Sequence, residues 1–590
     1  MFALLMLFAA LEALPDYLRP DPFGGLVRAD RTASPGGLLR SVDLEGARGA
    51  YVSCHLVVKL PEGGEYTLRI ETPSGGLQAE LYREWFHFLP ADKAYYPDAL
   101  VPIRGPWHSR LPEPDNRIPN QSAQAFWVDL WIPPGAPPGL HQAAAILEAG
   151  GQTFRVPIRV RVLPAVVPPE DVVSIDHNSY GSSWLGDYFP SARRRGGAAF
   201  FSSDDFFSLI HAYHRIFFEH RGVYHQLGYG HAGKVGPEFA PALEGEGRRR
   251  RVADWSLYDR HYGPLLDGSA FASTRRGALP VPFVYLPIDP EWPASFLNWG
   301  EPGYEAEFVS VVSEMERHFR ERGWTRTRFE LFFNHKKRYK GFPWDGDETR
   351  FENDLPYFAE YARLLRRAVP KDSPVQFVFR TDASWMMERQ FKAQAGIINF
   401  WVCGGTEFAW YDYAPRLLKD RGDIVWFYGG TPRMNEVSSN ITLNPLKAWI
   451  WGIDGYVHWL AVSPGPDPWR RSDGGVTALV YPGDRFGLQE PIPSVRLKLQ
   501  RNAVAALALL DSFRQKVPLD TLKREAARRY NRTDPKDWWT PRPPLADRPP
   551  WEWSNTDIDQ APRPNRRFFE NLDADAFERV RQYALELARR

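Results

Sequence analysis

The sequence predicts a mixed α/β protein: an N-terminal antiparallel β-sandwich domain, then a (β/α)8 TIM-like barrel, then a C-terminal helical extension. Three observations carry this. From about Asp16 to Pro169, apolar and polar residues alternate with period two between Pro and Gly punctuation, which is the pattern of strands and turns. From Val172 onward, eight short apolar runs alternate with helix-forming stretches. The length, 590 residues, has room for two or three domains. A doubly wound open sheet permits the same alternation; the count of eight favours the barrel.

Taken in order, Met1–Leu14 is apolar but too short to span a bilayer. It reads as a signal segment over 1–14, with Leu11-Glu12-Ala13 as a loose cleavage site, although no Lys or Arg precedes it. The expected location is secreted or periplasmic, with cytoplasmic as the alternative. The sandwich is expected over 15–168, with strands such as Tyr51–Val58, Tyr66–Ile70, Phe126–Ile132 and Phe154–Val162. Leu163–Pro169, with three prolines, reads as a linker.

The barrel is expected over 169–515. Its strand-like runs are Val172–Tyr180, Val223–Tyr229, Val281–Ile288, Arg328–His335, Val375–Asp382, Ile397–Cys403, Asp423–Tyr428 and Gly455–Val462. Helices are expected at Asp204–His220, Tyr304–Arg322, Leu355–Val369, Ser384–Ala393, Ala414–Arg421 and Leu443–Trp451, with Ser494–Ser512 trailing. The remainder, 516–590, holds a Pro- and Trp-rich segment, Trp538–Trp553, and a terminal helix, Asp573–Arg589.

Composition excludes several classes. With 43% hydrophobic and 25% charged residues the chain is neither disordered nor fibrous. A formal net charge of +1 gives no general attraction to nucleic acid or acidic membranes. No later stretch approaches the roughly 18 apolar residues of a membrane span. Cys54 and Cys403 alone make neither a disulfide scaffold nor a Cys-rich zinc module. Aromatic residues reach 14%, with 22 Trp; their faces suit sugar rings as well as cores.

In a barrel, chemistry sits at the C-terminal strand ends and the loops that follow. That rule selects Asn178, Tyr180, His225, His231, Asp289, Asn334, His335, Asp347, Glu348, Arg380, Asp382, Glu407, Tyr428, His458 and Trp459. Gly228–Val235 imitates a phosphate loop, but Val235 stands where a Ser or Thr belongs. Five histidines lie between His211 and His231 without a His-Glu-x-x-His pattern. There is no Gly-x-Ser-x-Gly elbow, and Arg248–Arg251 is a basic turn. What remains is carboxylate chemistry, and Trp344-Asp345-Gly346-Asp347-Glu348, after the fourth run, supplies a neighbouring pair. Such a pair reads either as a solvated turn or as a division of labour in glycoside cleavage, one acid protonating the leaving oxygen while the other stays ionised.

Several strings are similar to those of a known family: Asn178-Ser179-Tyr180-Gly181, Phe126-Trp127-Val128-Asp129 with a following Pro-Pro-Gly, Gly455-Tyr456-Val457-His458-Trp459, Val480-Tyr481-Pro482-Gly483 and Pro491-Ile492-Pro493-Ser494-Val495-Arg496-Leu497. Together and in this order they resemble the glycoside hydrolase family 123 group, over roughly Tyr51 to Ser512. The resemblance implies a sandwich coupled to a barrel and removal of β-linked N-acetylgalactosamine, a retaining reaction in which the substrate's 2-acetamido oxygen is the nucleophile. It implies Glu348 as general acid and later base, Asp347 as the residue that orients the acetamido group, and no cofactor.

The chain departs from that family where Asn334-His335-Lys336-Lys337-Arg338-Tyr339 and a further loop separate the strand from its acids. Either the loop folds back, pinned by Phe342 and Trp344, or Asn334-His335 takes the place of the pair. The expected substrate-binding set is Asn178, Tyr180, Asn334, His335, Arg380, Tyr428 and Trp459, acting on a glycan or oligosaccharide. The rivals are a catalytically silent carbohydrate-binding relative and a metal-dependent barrel hydrolase using His225, His231 and a carboxylate.

Overall fold

The computed structural model describes residues 9–32, 39–231, 235–289, 291–294, 302–340, 342–349, 352–383, 388–405, 412–462, 467–470, 473–475, 478–539 and 572–590. Ten strands before residue 167 form two five-stranded sheets. One runs in the order β1 (Ala10–Pro15), β3 (Ala50–Lys59), β8 (Ala123–Ile132), β5 (Gln78–Leu89), β6 (Ala94–Ile103). The other runs β2 (Val42–Arg48), β10 (Gln152–Val166), β9 (Gly139–Ala149), β4 (Gly64–Ile70), β7 (Trp107–Leu111). Alternate residues of β3 (Val52, Cys54, Leu56, Val58) and β8 (Phe126, Val128, Leu130, Ile132) meet alternate residues of β9 and β10 in one apolar cluster. The period-two pattern is therefore the imprint of one shared core face.

The opposite face of β8 is also covered. Trp127 packs there, and the buried Asp129 accepts from Arg501 Nη1 at 2.9 Å, Arg501 Nη2 at 2.8 Å and Lys498 Nζ at 2.5 Å. Asp98 of β6 likewise receives Arg496 Nη2 at 2.6 Å and Tyr481 Oη at 2.6 Å. Trp127, Asp129, Tyr481 and Arg496 lie in strings that carried the family resemblance, and the pairs of Asp129 with Arg501 and Lys498 and of Asp98 with Arg496 tie the first sheet to the trailing helix.

Two boundaries differ from expectation. Ala10–Pro15, within the apolar N-terminal stretch, is strand β1, paired antiparallel to β3 from Ala10↔Lys59 to Pro15↔Cys54. A leader cut at Leu11-Glu12-Ala13 would remove part of this strand; residues 1–8 lie outside the described residues. The expected linker at Leu163 begins as strand, because β10 continues beside β2 to Val166 across a register slip.

The eight expected runs are all present as parallel strands: β11 (Ser174–Tyr180), β12 (Val223–Leu227), β15 (Phe283–Tyr285), β16 (Arg328–Leu331), β17 (Gln376–Ala383), β18 (Phe400–Gly404), β19 (Ile424–Gly429) and β20 (Gly455–His458). A hairpin, β13 (Ala242–Glu244) and β14 (Arg251–Asp254), interrupts the second connection. Their order, β12-β11-β20-β19-β18-β17-β16-β15, is cyclic, as in a ring and unlike a doubly wound sheet. The ladder opens between β12 and β15, where His225 stacks on Tyr285 with ring centroids 3.8 Å apart. Side chains thus bridge the gap, and the barrel is nearly closed.

The helices include α1 (Asp204–Glu219), α2 (Ser256–Leu266), α3 (Tyr304–Glu321), α4 (Leu355–Ala368), α5 (Glu388–Ala393), α6 (Ala414–Asp420), α7 (Asn440–Trp451), α8 (Val495–Ser512), α9 (Leu519–Asn531) and α10 (Ala576–Ala588). Ser203 caps α1, accepting from Phe206 N–H at 3.3 Å, and Ser494 caps α8, accepting from Leu497 N–H at 3.1 Å. Helices α2 and α9 were not expected. Most of the Pro- and Trp-rich segment falls in 540–571, outside the described residues.

Candidate active site at the barrel mouth

Period two decides what enters the barrel. Phe283, Val378, Phe400, Trp426 and Val457 form an apolar cluster at the bottom of the lumen. Two residues further along three of these strands stand Tyr285, Arg380 and Tyr428, and beyond Arg380 stands Asp382. On β11, Asp176, Asn178 and Tyr180 share a face by the same rule. The lumen therefore changes from apolar floor to charged middle to mixed mouth.

The charged middle is fully buried, so its members must pair. His225 Nδ1 lies 2.7 Å from Asp176 Oδ2, and Nε2 lies 3.1 Å from Glu330 Oε1. Burial alone would depress this imidazole, but Glu330 and Asp176 outweigh it and raise the pKa to about 9. Arg380 donates from Nε to Asp382 Oδ1 at 2.9 Å and from Nη1 to Tyr285 Oη at 2.7 Å, with Glu330 Oε2 at 3.4 Å. Burial raises Asp382 to about 6, against the pull of Arg380.

The long loop after β16 folds back. Gly346 and Asp347 N–H both donate to the His335 carbonyl, at 3.2 and 3.3 Å, and Thr349 N–H donates to the Asp382 carbonyl at 3.1 Å. Glu348 is thereby bridged in parallel to Asp382 at the end of β17. Trp344, 1% exposed, fixes the turn, stacked on Tyr357 at 5.1 Å and edge-on to His335 at 4.6 Å; Phe342 lies 4.7 Å from the same imidazole. Gly346 is required by close approach: a Cβ there would stand 2.5 Å from Phe333 Cβ and 2.5 Å from His335 Cε1.

Among the described residues, Lys336 links Asp347 and Glu348. Lys336 Nζ lies 2.7 Å from Asp347 Oδ2 and 3.2 Å from Glu348 Oε2. His231 Nε2 approaches Asp347 Oδ2 at 3.6 Å. Burial, then Glu348, push Asp347 well above the ordinary carboxylate range, with Lys336 opposing. Around the pair stand the half-buried rings of Tyr180, His231, Tyr428 and Trp459 and the exposed ring of Tyr339: Tyr180 edge-on to Trp459 at 5.4 Å, His231 stacked over Trp459 at 6.3 Å and Tyr339 at 5.8 Å, and Tyr428 6.5 Å from Trp459. The Tyr180 hydroxyl and the Asn178 and Asn334 amide oxygens are buried with no protein partner among the described residues.

The structure brings Asp347, Glu348, Tyr180, Tyr428 and Trp459 into one neighbourhood, with Asn178 beneath them, its amide 3.4 Å from Tyr285 Oη. It does not bring His335 or Arg380 to the mouth. His335 is buried under the loop, its pKa depressed to about 3 mainly by burial, and it acts as the anvil for Trp344 and Gly346. Arg380 is enclosed in the charged layer, where it orients Asp382. Asn334 is fixed by Tyr229, whose hydroxyl accepts its N–H at 2.9 Å. His458 faces out of the lumen, 2.5 Å from Gln500 of α8, which also joins His177. Asp289 accepts Val235 N–H at 2.9 Å in the second connection, and Glu407 lies outside the described residues. Among the described residues no group of three His, Cys, Asp or Glu side chains is arranged to hold a metal ion, and His225 is committed to Asp176 and Glu330. Sequence reasoning passed over Asp176, Tyr285, Glu330 and Lys336. A carboxylate inside an apolar strand, as in Phe329-Glu330-Leu331, was the available signal.

The fold and site define a (β/α)8 barrel whose mouth is lined by carboxylates and rimmed by aromatic rings. Among solved structures the chain is similar to a family 123 glycoside hydrolase from Clostridium perfringens, studied for glycolipid glycan hydrolysis: 12% identity, 99% of each chain covered, TM-score 0.65. That likeness shows that the two chains share a fold over their full lengths. Two xylanase structures match more loosely: a xylan-degrading module pair from Clostridium thermocellum (10% identity, 85% of this chain and 94% of that one, TM-score 0.30) and a termite-gut xylanase with an Ig-like domain (9%, 80% and 100%, TM-score 0.30). No protein-family profile matches the sequence, and no curated protein does.

Proposed function

We propose that the protein is a glycoside hydrolase acting on β-linked N-acetylhexosamines by a retaining, substrate-assisted route. The observation that carries this is the folded-back loop, which sets Asp347 and Glu348 side by side beneath Tyr180 and Trp459. In the reaction, the acetamido oxygen bonds to the anomeric carbon as the bond to the leaving oxygen breaks. Glu348 gives its proton to that oxygen, and Asp347 holds the acetamido N–H. Water then attacks the anomeric carbon as its bond to the acetamido oxygen breaks, restoring the free acetamido group and returning a proton to Glu348.

In this reading residues 15–168 are a sandwich that buttresses the barrel, 169–515 are the catalytic unit, and 516–590 are an accessory extension. The Asp129 and Asp98 ion pairs to α8 support the first two roles. No helix among the described residues is long and apolar enough to cross a membrane. A second reading, a silent sugar binder, draws support from Lys336, which contacts both acids at once.

The test is hydrolysis of aryl β-glycosides, N-acetylgalactosaminide and N-acetylglucosaminide beside galactoside and glucoside, with and without chelator. Cleavage confined to the N-acetyl sugars is expected. Glu348→Gln should lower kcat by roughly 10²–10⁴-fold with the fold intact, and Asp347→Asn should impair the N-acetyl substrates. Full activity in Glu348→Gln sinks the assignment.

A further inference from the structure

The acid pair sits in a crowd of like charge. Asp347 and Glu348 face Asp382 on β17, with Glu330 behind it; the opposing groups are Arg380, His231 and Lys336, and the Tyr180 hydroxyl stands above. Arg380 is spent on Asp382, Glu330 and Tyr285. His231 is more distant from Asp347, at 3.6 Å, than Lys336, at 2.7 Å. Among the described residues, Lys336 is a cation in direct contact with both acids. It comes from the stretch that separates β16 from the acids, where this chain departs from the family it resembles.

Two adjacent carboxylates with two different jobs need opposite protonation states: one ionised to hold a ligand N–H, one protonated to give its proton away. Burial and mutual repulsion drive such a pair toward full protonation, which would lose the first job. An ammonium within hydrogen-bond reach of both restores one negative charge without fixing which oxygen carries it.

We propose that Lys336 is a positioning residue that keeps one charge on the Asp347–Glu348 pair, so that the pair meets its substrate with one carboxylate ionised and one protonated. This rests on the reading of the pair as the acid machinery of a glycosidase. Lys336 does not touch the reacting atoms; it acts through the two acids. A lysine that merely braced the loop would affect stability and kcat without moving a titration.

The experiment is a carboxyl-carbon NMR titration of the intact protein, parent against Lys336→Met and Lys336→Arg, with resonances assigned through Asp347→Asn and Glu348→Gln. In Lys336→Met the midpoints of the pair should rise by about one pH unit or more, a tenfold or greater gain in proton affinity, while Lys336→Arg stays near the parent. On an N-acetyl aryl glycoside, the alkaline limb of kcat/KM should move upward by the same amount in Lys336→Met, and Lys336→Arg should restore it. Should Lys336→Met fail to fold, Lys336→Gln gives the same reading. Midpoints in the neutral variant that coincide with the parent's overturn the proposal, whatever the activity. Shifted midpoints in a protein that cleaves no glycoside support the role of Lys336 and overturn the glycosidase reading instead.

Discussion

The turn that delivers the acids rests on Gly346, and replacing it with alanine measures how much the site depends on that path. A Cβ at this position would lie 2.5 Å from Phe333 Cβ and 2.5 Å from His335 Cε1. Carbon atoms pack at roughly 3.5–4.0 Å, so the loop or its bed must move by about 1 Å. The bed has little freedom: Phe333 Cβ is fixed to the strand end, and His335 is held by Phe342 and Trp344. Overpacking of this kind costs about 1–3 kcal/mol, which lowers the apparent Tm. Because Gly346 and Asp347 share the His335 carbonyl, the displacement passes directly to the acids. A misplacement of about 1 Å at a catalytic group costs on the order of 10²-fold in rate. Apparent Tm and kcat/KM would be measured on Gly346→Ala beside Gly135→Ala, where a Cβ meets nothing within 4 Å and neither quantity should change. Parental stability and turnover in Gly346→Ala refute the folded-back path.

Two further outcomes concern the buried charges. His225 is raised to about 9 in the folded chain by Glu330 and Asp176 against burial, from an ordinary 6.5. The stability it supplies, roughly 3 kcal/mol, is complete below pH 6.5 and lost as pH rises through 9; an apparent Tm that stays flat over that interval contradicts the pairing. Asp129→Asn should cost about 3–5 kcal/mol, because it leaves Arg501 and Lys498 buried without their counter-charge. Loss of cooperative unfolding between the first sheet and the barrel, followed by scanning calorimetry, is the expected signature, and a near-parental thermogram argues against that tie.

The sequence carried the strand count, the lumen-facing alternation and most helix starts, because these depend on spacing along a few residues. Asp204, Tyr304 and Leu355 begin helices where the spacing predicts them. It failed where local signals conflict with packing. Helix α2 contains Gly263-Pro264, which reads as a break, yet its start packs against α3, with His318 Nε2 2.7 Å from Asp259 Oδ1. Helix α9 is mostly polar, and its stripe of Leu522, Ala526, Ala527 and Tyr530 becomes meaningful only against α7 and α10. Apolar content alone does not distinguish an h-region from a strand, and Ala10–Pro15, at the end of the apolar start, is strand β1.

The site divides the same way. Asp347, Glu348, Tyr180 and Trp459 were legible as types of residue at strand ends. Their meeting was decided by the tertiary structure: one N–H of Thr349 reaching Asp382, an indole wedged on His335, and a glycine where a methyl group will not fit. His335 and Arg380 have the right chemistry and the right sequence position, yet the fold uses one as the bed for Trp344 and the other as a counter-ion. Lys336 shows the converse, a lysine unremarkable in sequence whose role follows from two oxygens 2.7 and 3.2 Å away. Periodicity fixes which way a side chain faces; only packing fixes which distant charge it meets, and the cost of an unpaired buried charge enforces that meeting.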